Sequence, residues 1–165
     1  MVVNYSTAKV LKGEKSIYLA GPTQNKEEWK EEAVQILSKL GFDGIVYVPE
    51  PHVNEINVDY NNQVSWEIEA LKDSSVIVFW IPSDTKIMPS TNINFGYWIS
   101  KNKDKVIYGR SKRTEESMYL DWLYENETNI KPINNLKMLL NSAIEMTKEY
   151  EQLSFDSIGY QKKLK

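Results

Sequence analysis

The sequence lacks cysteine altogether and has a single histidine, His52, among its 165 residues. Without cysteine the protein forms no disulfide, performs no thiolate chemistry and builds no Cys-based zinc site. One histidine argues against a His-rich metal site, and a Ser-His-Asp triad would need His52 as its base although no G-x-S-x-G turn accompanies it. The sequence also has neither G-x-G-x-x-G nor a Walker A motif, which are the usual phosphate cradles. We therefore expect no metal and no cofactor.

Long apolar runs and strong charge are missing as well. No run approaches membrane-spanning length, and the N-terminus does not resemble a signal peptide. The net charge of −3 provides no basic surface for nucleic acid or anionic membranes. We therefore expect a cytoplasmic protein with neither of those partners. The length predicts one domain, which we place at residues 16–152, between a leader at 1–15 and a tail at 153–165.

Short apolar segments alternate along the chain with segments of helical spacing. The predicted strands are residues 16–20, 45–48, 76–80 and 106–108, and the predicted helices are 27–40, 63–73, 95–101, 117–124 and about 132–150. This order predicts an α/β fold, a single-domain doubly wound parallel sheet with helices on both faces.

Polar side chains follow the predicted strands, at the points where these end. In open α/β sheets the carboxyl ends of parallel strands meet at one edge, and ligands bind there. The polar candidates for this edge are Thr23, Glu50, Glu67, Asp84, Thr91, Asn92, Asn94 and Arg110.

Several of these candidates also have a purely structural interpretation. Arg110 could pair with a phosphate or belong to a basic surface cluster. Thr91 and Asn92 could offer backbone N–H groups to a phosphate or could N-cap the helix. Glu50 could be a solvated turn residue between two prolines, and Asp84 could cap its loop. The sequence leaves both roles open for each of them.

Five segments, in order along the chain, carry a family resemblance. They are IYLAGPT, LGFDGIVYVPEP, Y-x-x-Q-V-x-W-E-x-x-A-L, VIVFWIP and T-N-x-x-F-G-Y-W, and GRSKRTEESMYLDW follows them. With these segments, over residues 17–122, the chain resembles the nucleoside 2-deoxyribosyltransferase-like family. The resemblance implies a Rossmann-like α/β fold and a nucleoside or nucleotide as the small-molecule partner.

The resemblance also implies a chemistry. Such enzymes attack C1′ of a deoxynucleoside with a glutamate and hold a glycosyl-enzyme ester, which a second base or water then resolves. The glutamate usually lies in the pattern T-x-x-E-x-G, which corresponds here to residues 91–96, so Asn94 occupies the nucleophile's position. A second family carboxylate, which orients the sugar or shuttles a proton, corresponds to Glu67.

The matching motifs extend the candidate site and suggest an assembly. By resemblance, the ligand-binding candidates also include Gly21, Pro22, Trp66, Pro82 and Asp121. The family's pockets are often completed by a neighbouring subunit, and residues 118–122 lie where such a contribution would come from. The resemblance therefore implies a homo-oligomer.

Asn94 leaves two hypotheses about function. An amide can neither attack C1′ nor take up a proton at pH 7, although it can hydrogen-bond a sugar hydroxyl. In the first hypothesis, the protein cleaves or transfers at an N-glycosidic bond with another carboxylate, Glu67 before Asp84 and Glu50. In the second, it is a catalytically silent protein that senses or sequesters a nucleotide-derived ligand.

Overall fold

The structure, a computed structural model, describes residues 1–22, 29–50, 59–83, 86–87 and 89–162, with side chains up to residue 152. The strands are β1 (Val2–Tyr5), β2 (Ser16–Ala20), β3 (Ile45–Val48), β4 (Val76–Ile81) and β5 (Val106–Arg110). The helices are α1 (Trp29–Lys39), α2 (Tyr60–Asp73), α3 (Pro89–Lys101), α4 (Glu115–Thr128) and α5 (Leu136–Lys162).

The described strands form one five-stranded sheet in the order β1-β3-β2-β4-β5, and each neighbouring pair is parallel. All carboxyl ends therefore lie at the same edge of the sheet. From β2 the chain moves outward to β3 on one side, then returns to β4 and β5 on the other. The direction of winding reverses between β2 and β4, and open α/β sheets bind ligands at such a switch point.

Helices cover both faces of the sheet. On one face, Leu37 of α1 and Leu139 of α5 belong to the same buried cluster as Val78 of β4. On the other face, Phe95 of α3 packs edge-on against Phe79 of β4, with ring centroids 5.1 Å apart, in a cluster shared with α2 and α4. Successive residues of β4 alternate between the two clusters, as the period of a strand requires. The prediction of a doubly wound α/β fold is confirmed.

The predicted elements differ from the observed ones mainly at their ends. The strands at 16–20 and 45–48 are confirmed, and the two later strands extend to Ile81 and Arg110. Helix α3 begins at Pro89 rather than near residue 95, because proline fits the first helical position, where its missing N–H has no partner to lose. Helix α5 begins at Leu136 and continues past residue 150 to Lys162.

Strand β1 lies in the stretch 1–15, where the sequence predicts a polar leader and no strand. It has four residues, with Asn4 in its second half, and so gives no apolar run. The Asn4 side chain is 2% exposed, donates to the Lys9 carbonyl at 3.1 Å and accepts from the Leu11 N–H at 3.0 Å. These bonds satisfy a buried amide at the sheet edge. The division into leader, domain and tail stays a prediction.

Candidate ligand-binding site

A cavity of about 210 Å³ lies between α2 and α3, at the carboxyl ends of β2 and β4. Its described lining comprises Tyr18, Ala20, Gly21, Pro22, Pro49, Tyr60, Gln63, Val64, Glu67, Phe79, Ser90, Thr91 and Asn94. Five of the residues predicted from sequence are thus brought together at the switch point. Two larger cavities, of about 590 and 610 Å³, lie elsewhere, and neither has Glu67 or Asn94 in its described lining.

The turn after β2 forms one wall of this cavity. Gly21 has a φ of 152°, and a Cβ there would overlap the carbonyl oxygen of Trp80. Only glycine fits both the backbone conformation and the close approach. The indole Nε1 of Trp29, the first residue of α1, donates to the Pro22 carbonyl at 3.0 Å. The turn is therefore held from two sides.

Glu67 is the one carboxylate in the described lining of the cavity. Its side chain is half-buried, and its Oε1 lies 3.4 Å from the Gln63 amide nitrogen. Burial raises the pKa of Glu67, while the hydrogen bond from Gln63 and the positive charge of Lys30 act in the opposite direction. A carboxylate with a raised pKa is suited to taking up and releasing a proton near neutral pH.

Tyr18 of β2, which sequence reasoning did not single out, lies beside Glu67 in the lining. It is 2% exposed, and burial followed by the charge of Glu67 raises its pKa well above the ordinary value. The phenol is therefore neutral and can donate a hydrogen bond. The strand period carried a signal for it, because Tyr18 alternates with Ile17 and Leu19 and so faces the opposite side of the sheet from them.

Lys30 is a second functional candidate that the sequence did not reveal. It is buried in α1, and its Nζ lies 2.6 Å from Oε1 of Glu50. Burial lowers the pKa of Lys30, whereas the charges of Glu50 and Glu67 oppose that change. Glu50 is thus an ion-pair partner rather than a solvated turn residue. It is not part of the described cavity lining.

The first turns of α3 contribute Thr91 and Asn94 to the cavity. Thr91 is buried and Asn94 half-buried, whereas Asn92 is exposed and does not belong to the described lining. Because α3 begins at Pro89, Thr91 and Asn92 lie inside the helix, and neither serves as its N-cap. Backbone N–H groups in this first turn have no partner within the helix and can face a ligand.

Arg110 and Asp121 pair with each other away from the described cavity lining. The Arg110 Nε lies 2.8 and 2.9 Å from the two carboxylate oxygens of Asp121, which also accepts from the Tyr108 hydroxyl at 3.1 Å. Arg113 adds a longer, exposed contact of 3.5 Å. Asp121 is 4% exposed, so this cluster ties β5 to α4. Arg110 is the last residue of β5, not part of a surface cluster.

The remaining candidates do not meet at the cavity. Trp66 is buried between the rings of Tyr18 and Tyr47, with centroids 6.5 and 6.2 Å away. Pro82 lines the cavity of about 610 Å³ near α1 and α5. Thr23 and Asp84 lie outside the described residues, and so does His52.

Two searches over the described part of the chain gave negative results. No helix there is both long and apolar enough to cross a bilayer. In the same ranges, no three His, Asp or Glu side chains gather where they could hold a metal ion.

The fold and the cavity together define a doubly wound α/β domain with its ligand site at the switch point of the sheet. A family model described as "Nucleoside 2-deoxyribosyltransferase like" matches residues 14–112, more than half of the chain. The protein belongs to the nucleoside 2-deoxyribosyltransferase-like family, as its motifs predicted. No curated protein matches the sequence significantly.

Solved structures with a similar fold include two deoxyribosyltransferases. The 2-desoxiribosyltransferase from Leishmania mexicana superposes with a TM-score of 0.55 at 12% identity, over 79% of this chain and 97% of that chain. A 2-deoxyribosyltransferase from Bacillus psychrosaccharolyticus gives a TM-score of 0.47 at 18% identity, over 72% of this chain and 96% of its own. At such identities the first of these likenesses supports the fold alone.

Proposed function

We propose that this protein binds a nucleoside or nucleotide in the cavity between α2 and α3, and that Glu67 promotes cleavage of its N-glycosidic bond by water. Family membership supports the ligand class. The observation that carries the chemistry is the position of Glu67, a half-buried carboxylate with a raised pKa on the same cavity as Asn94.

The reaction follows from these side chains. Glu67 accepts a proton from a water molecule while the water oxygen bonds to C1′ of the sugar. The C1′–N bond breaks, its electron pair stays on the base nitrogen, and the base takes up a proton. The negative charge of Glu67 also stabilises the oxocarbenium character that develops at C1′. The products are the free base and a sugar with a hydroxyl group at C1.

Asn94 favours hydrolysis over transfer through a covalent ester. Its amide supplies no nucleophile, but it can donate to and accept from a sugar hydroxyl. Glu50 is a weaker candidate for the base than the sequence suggested, because it is paired with Lys30 outside the described cavity lining. Asp84 stays a prediction.

Product analysis tests this proposal. The protein is incubated with deoxynucleosides, deoxynucleoside monophosphates and NAD-derived nucleotides, and free base is measured by chromatography. We expect free base with the natural protein and at least a hundredfold less with Glu67→Gln, within the range that general bases contribute. Glu69→Gln is the matched control, because Glu69 is exposed on the same helix and pairs with Lys12.

Isotopic water separates hydrolysis from transfer. In water labelled with ¹⁸O, hydrolysis places one labelled oxygen at C1 of the sugar. Transfer to an added second base leaves the sugar unlabelled. Free base released equally by the natural protein and by Glu67→Gln would contradict the role of Glu67.

Asn94 supports a second candidate function, a silent protein that holds or senses the same ligand. In that case calorimetry detects binding while chromatography detects no product. Asn94→Glu then restores a carboxylate at the nucleophile's position and should create glycosidase activity. If Asn94→Glu binds the ligand as the natural protein does and still shows no turnover, the assignment of residue 94 to that position is wrong.

A further inference from the structure

Helix α2 presents one continuous stripe of side chains to the cavity. Tyr60, Gln63, Val64 and Glu67 all line it, and their spacing of three, four and seven residues places them on one helical face. Exposure falls along the stripe, from 77% at Tyr60 to half-buried at Glu67. The stripe therefore runs from the mouth of the cavity toward its interior.

Tyr60 lies at the mouth on a fixed piece of backbone. It is the first residue of α2, and Asp59 caps the helix by accepting from the N–H groups of Asn61 and Asn62 at 2.9 and 3.1 Å. Among the described residues, no aromatic ring packs against Tyr60 and no hydrogen bond involves its hydroxyl. A large ring held by a rigid element and open to solvent beside a cavity is a stacking surface for a planar ligand.

Gln63 lies one turn further in with an amide that is weakly engaged. Its nitrogen is 3.5 Å from the Pro49 carbonyl and 3.4 Å from Glu67, both near the outer limit for a hydrogen bond. Its carbonyl oxygen accepts no hydrogen bond from the described residues. The amide can therefore offer one donor and one acceptor side by side, which is the pattern that reads the edge of a heterocyclic base.

We propose that α2 recognises the base of the ligand: Tyr60 stacks on its face and Gln63 hydrogen-bonds its edge. Glu67 and Asn94, deeper in the cavity, then flank the sugar and the glycosidic bond. This inference rests on the proposed function, since it assigns parts of the same ligand to parts of the same cavity. It adds that base selection depends on α2 and on these two residues.

Calorimetric affinities for the four common 2′-deoxynucleosides test the stacking contact. We expect Tyr60→Ala to weaken the tightest complex about 5- to 150-fold, the range that base–aromatic stacking supplies. Tyr60→Phe keeps the ring and should stay within twofold of the natural protein. Tyr150→Ala is the control, because Tyr150 is also an exposed tyrosine but lines the cavity of about 590 Å³. It too should stay within twofold.

The outcomes distinguish the two levels of the proposal. If the natural protein binds none of the nucleosides or their monophosphates, the proposed function itself fails. If it binds them and Tyr60→Ala binds equally well, the base does not stack on Tyr60 and this inference is overturned while the proposed function stands. Circular dichroism confirms that each variant is folded, which a substitution at an exposed position should allow.

Base discrimination tests Gln63 separately. Gln63→Met keeps the size of the side chain and removes both hydrogen-bonding groups. We expect the ratio between the tightest and weakest of the four affinities to fall about fivefold or more, the lower end of what one bidentate contact contributes. Gln35→Met, at an exposed position on α1, should leave the ratio unchanged. An unchanged ratio in Gln63→Met would remove Gln63 from base recognition.

Discussion

Lys30 and Glu50 form a salt bridge whose partners differ widely in exposure. The Lys30 Nζ lies 2.6 Å from Glu50 Oε1, and the two side chains are 2% and 39% exposed. Loss of the lysine leaves a carboxylate that water can reach, whereas loss of the glutamate leaves a buried ammonium group without this partner. The cost of breaking the pair should therefore depend on which partner is removed.

We predict that Glu50→Ala lowers the free energy of unfolding by about 3 kcal/mol, and that Lys30→Met lowers it by about 1 kcal/mol or less. Because burial lowers the pKa of Lys30, the ammonium group in Glu50→Ala sheds its proton as pH rises, and the deficit should shrink at alkaline pH. Urea unfolding at neutral and alkaline pH measures both effects. Equal costs for the two substitutions would show that Lys30 is not desolvated in solution.

A second prediction concerns Glu67 and pH. Burial raises the pKa of Glu67 in the folded protein above its ordinary value of 4.5, so the native state binds this proton more tightly than the unfolded state. Stability from this group is present below pH 4.5 and is lost as pH rises through the folded pKa. Glu67→Gln removes that loss and should melt at a higher temperature than the natural protein at pH 7.

The same comparison at acidic pH gives the control. Below the ordinary pKa both proteins carry a neutral side chain at position 67, so their melting temperatures should converge. Glu69→Gln, at an exposed position, should stay within about 0.5 kcal/mol of the natural protein at both pH values. A Glu67→Gln variant that is less stable at pH 7 would mean that the folded protein stabilises the charged form.

Two glycines should respond in opposite ways to the same substitution. Gly21 has a positive φ and no space for a Cβ beside the Trp80 carbonyl, so Gly21→Ala should cost about 2 kcal/mol or more. Gly96 lies inside α3, and a Cβ added there would meet no atom within 4 Å beyond the adjacent backbone of its own helix, so Gly96→Ala should gain about 0.5–1 kcal/mol. Thermal unfolding measures both, and a Gly21→Ala variant of natural stability would refute the strained turn at the cavity wall.

We further predict a homo-oligomer that forms through α3 and α4. Five large apolar side chains on these neighbouring helices are exposed, namely Ile93, Tyr97, Met118, Tyr119 and Trp122. An apolar surface shared by two adjoining helices is typical of an interface between subunits. Light scattering should give a mass above that of one chain for the natural protein and for Met138→Glu, an exposed position on α5, and a lower mass for Trp122→Glu.

A monomeric mass for the natural protein would contradict the homo-oligomer. A mass that Trp122→Glu leaves unchanged would place the interface on another surface. The cytoplasmic location also stays a prediction.

The fold was accessible from sequence because each element carries its own local signal. The all-apolar run in β4 and the period of α1 and α2 depend only on neighbours along the chain. Strand β1 escaped because four residues that include Asn4 have no such signal, and its strand geometry comes from pairing with β3. Arg110 escaped for a similar reason, since nothing local shows that Asp121, eleven residues away, would neutralise it.

The segment that joins β4 to α3 shows where the two kinds of information meet. The sequence by itself determined that a strand, a turn and a helix follow one another there, that the family is the nucleoside 2-deoxyribosyltransferase-like one, and that Asn94 stands at the nucleophile's position. Only the tertiary structure decided which side chains share the cavity. It brought Glu67, Tyr18 and Asn94 together and excluded Arg110, Trp66 and Glu50. Local periodicity follows from bonds along the chain, whereas a site depends on contacts between distant segments and on burial, which shifts the pKa of Glu67.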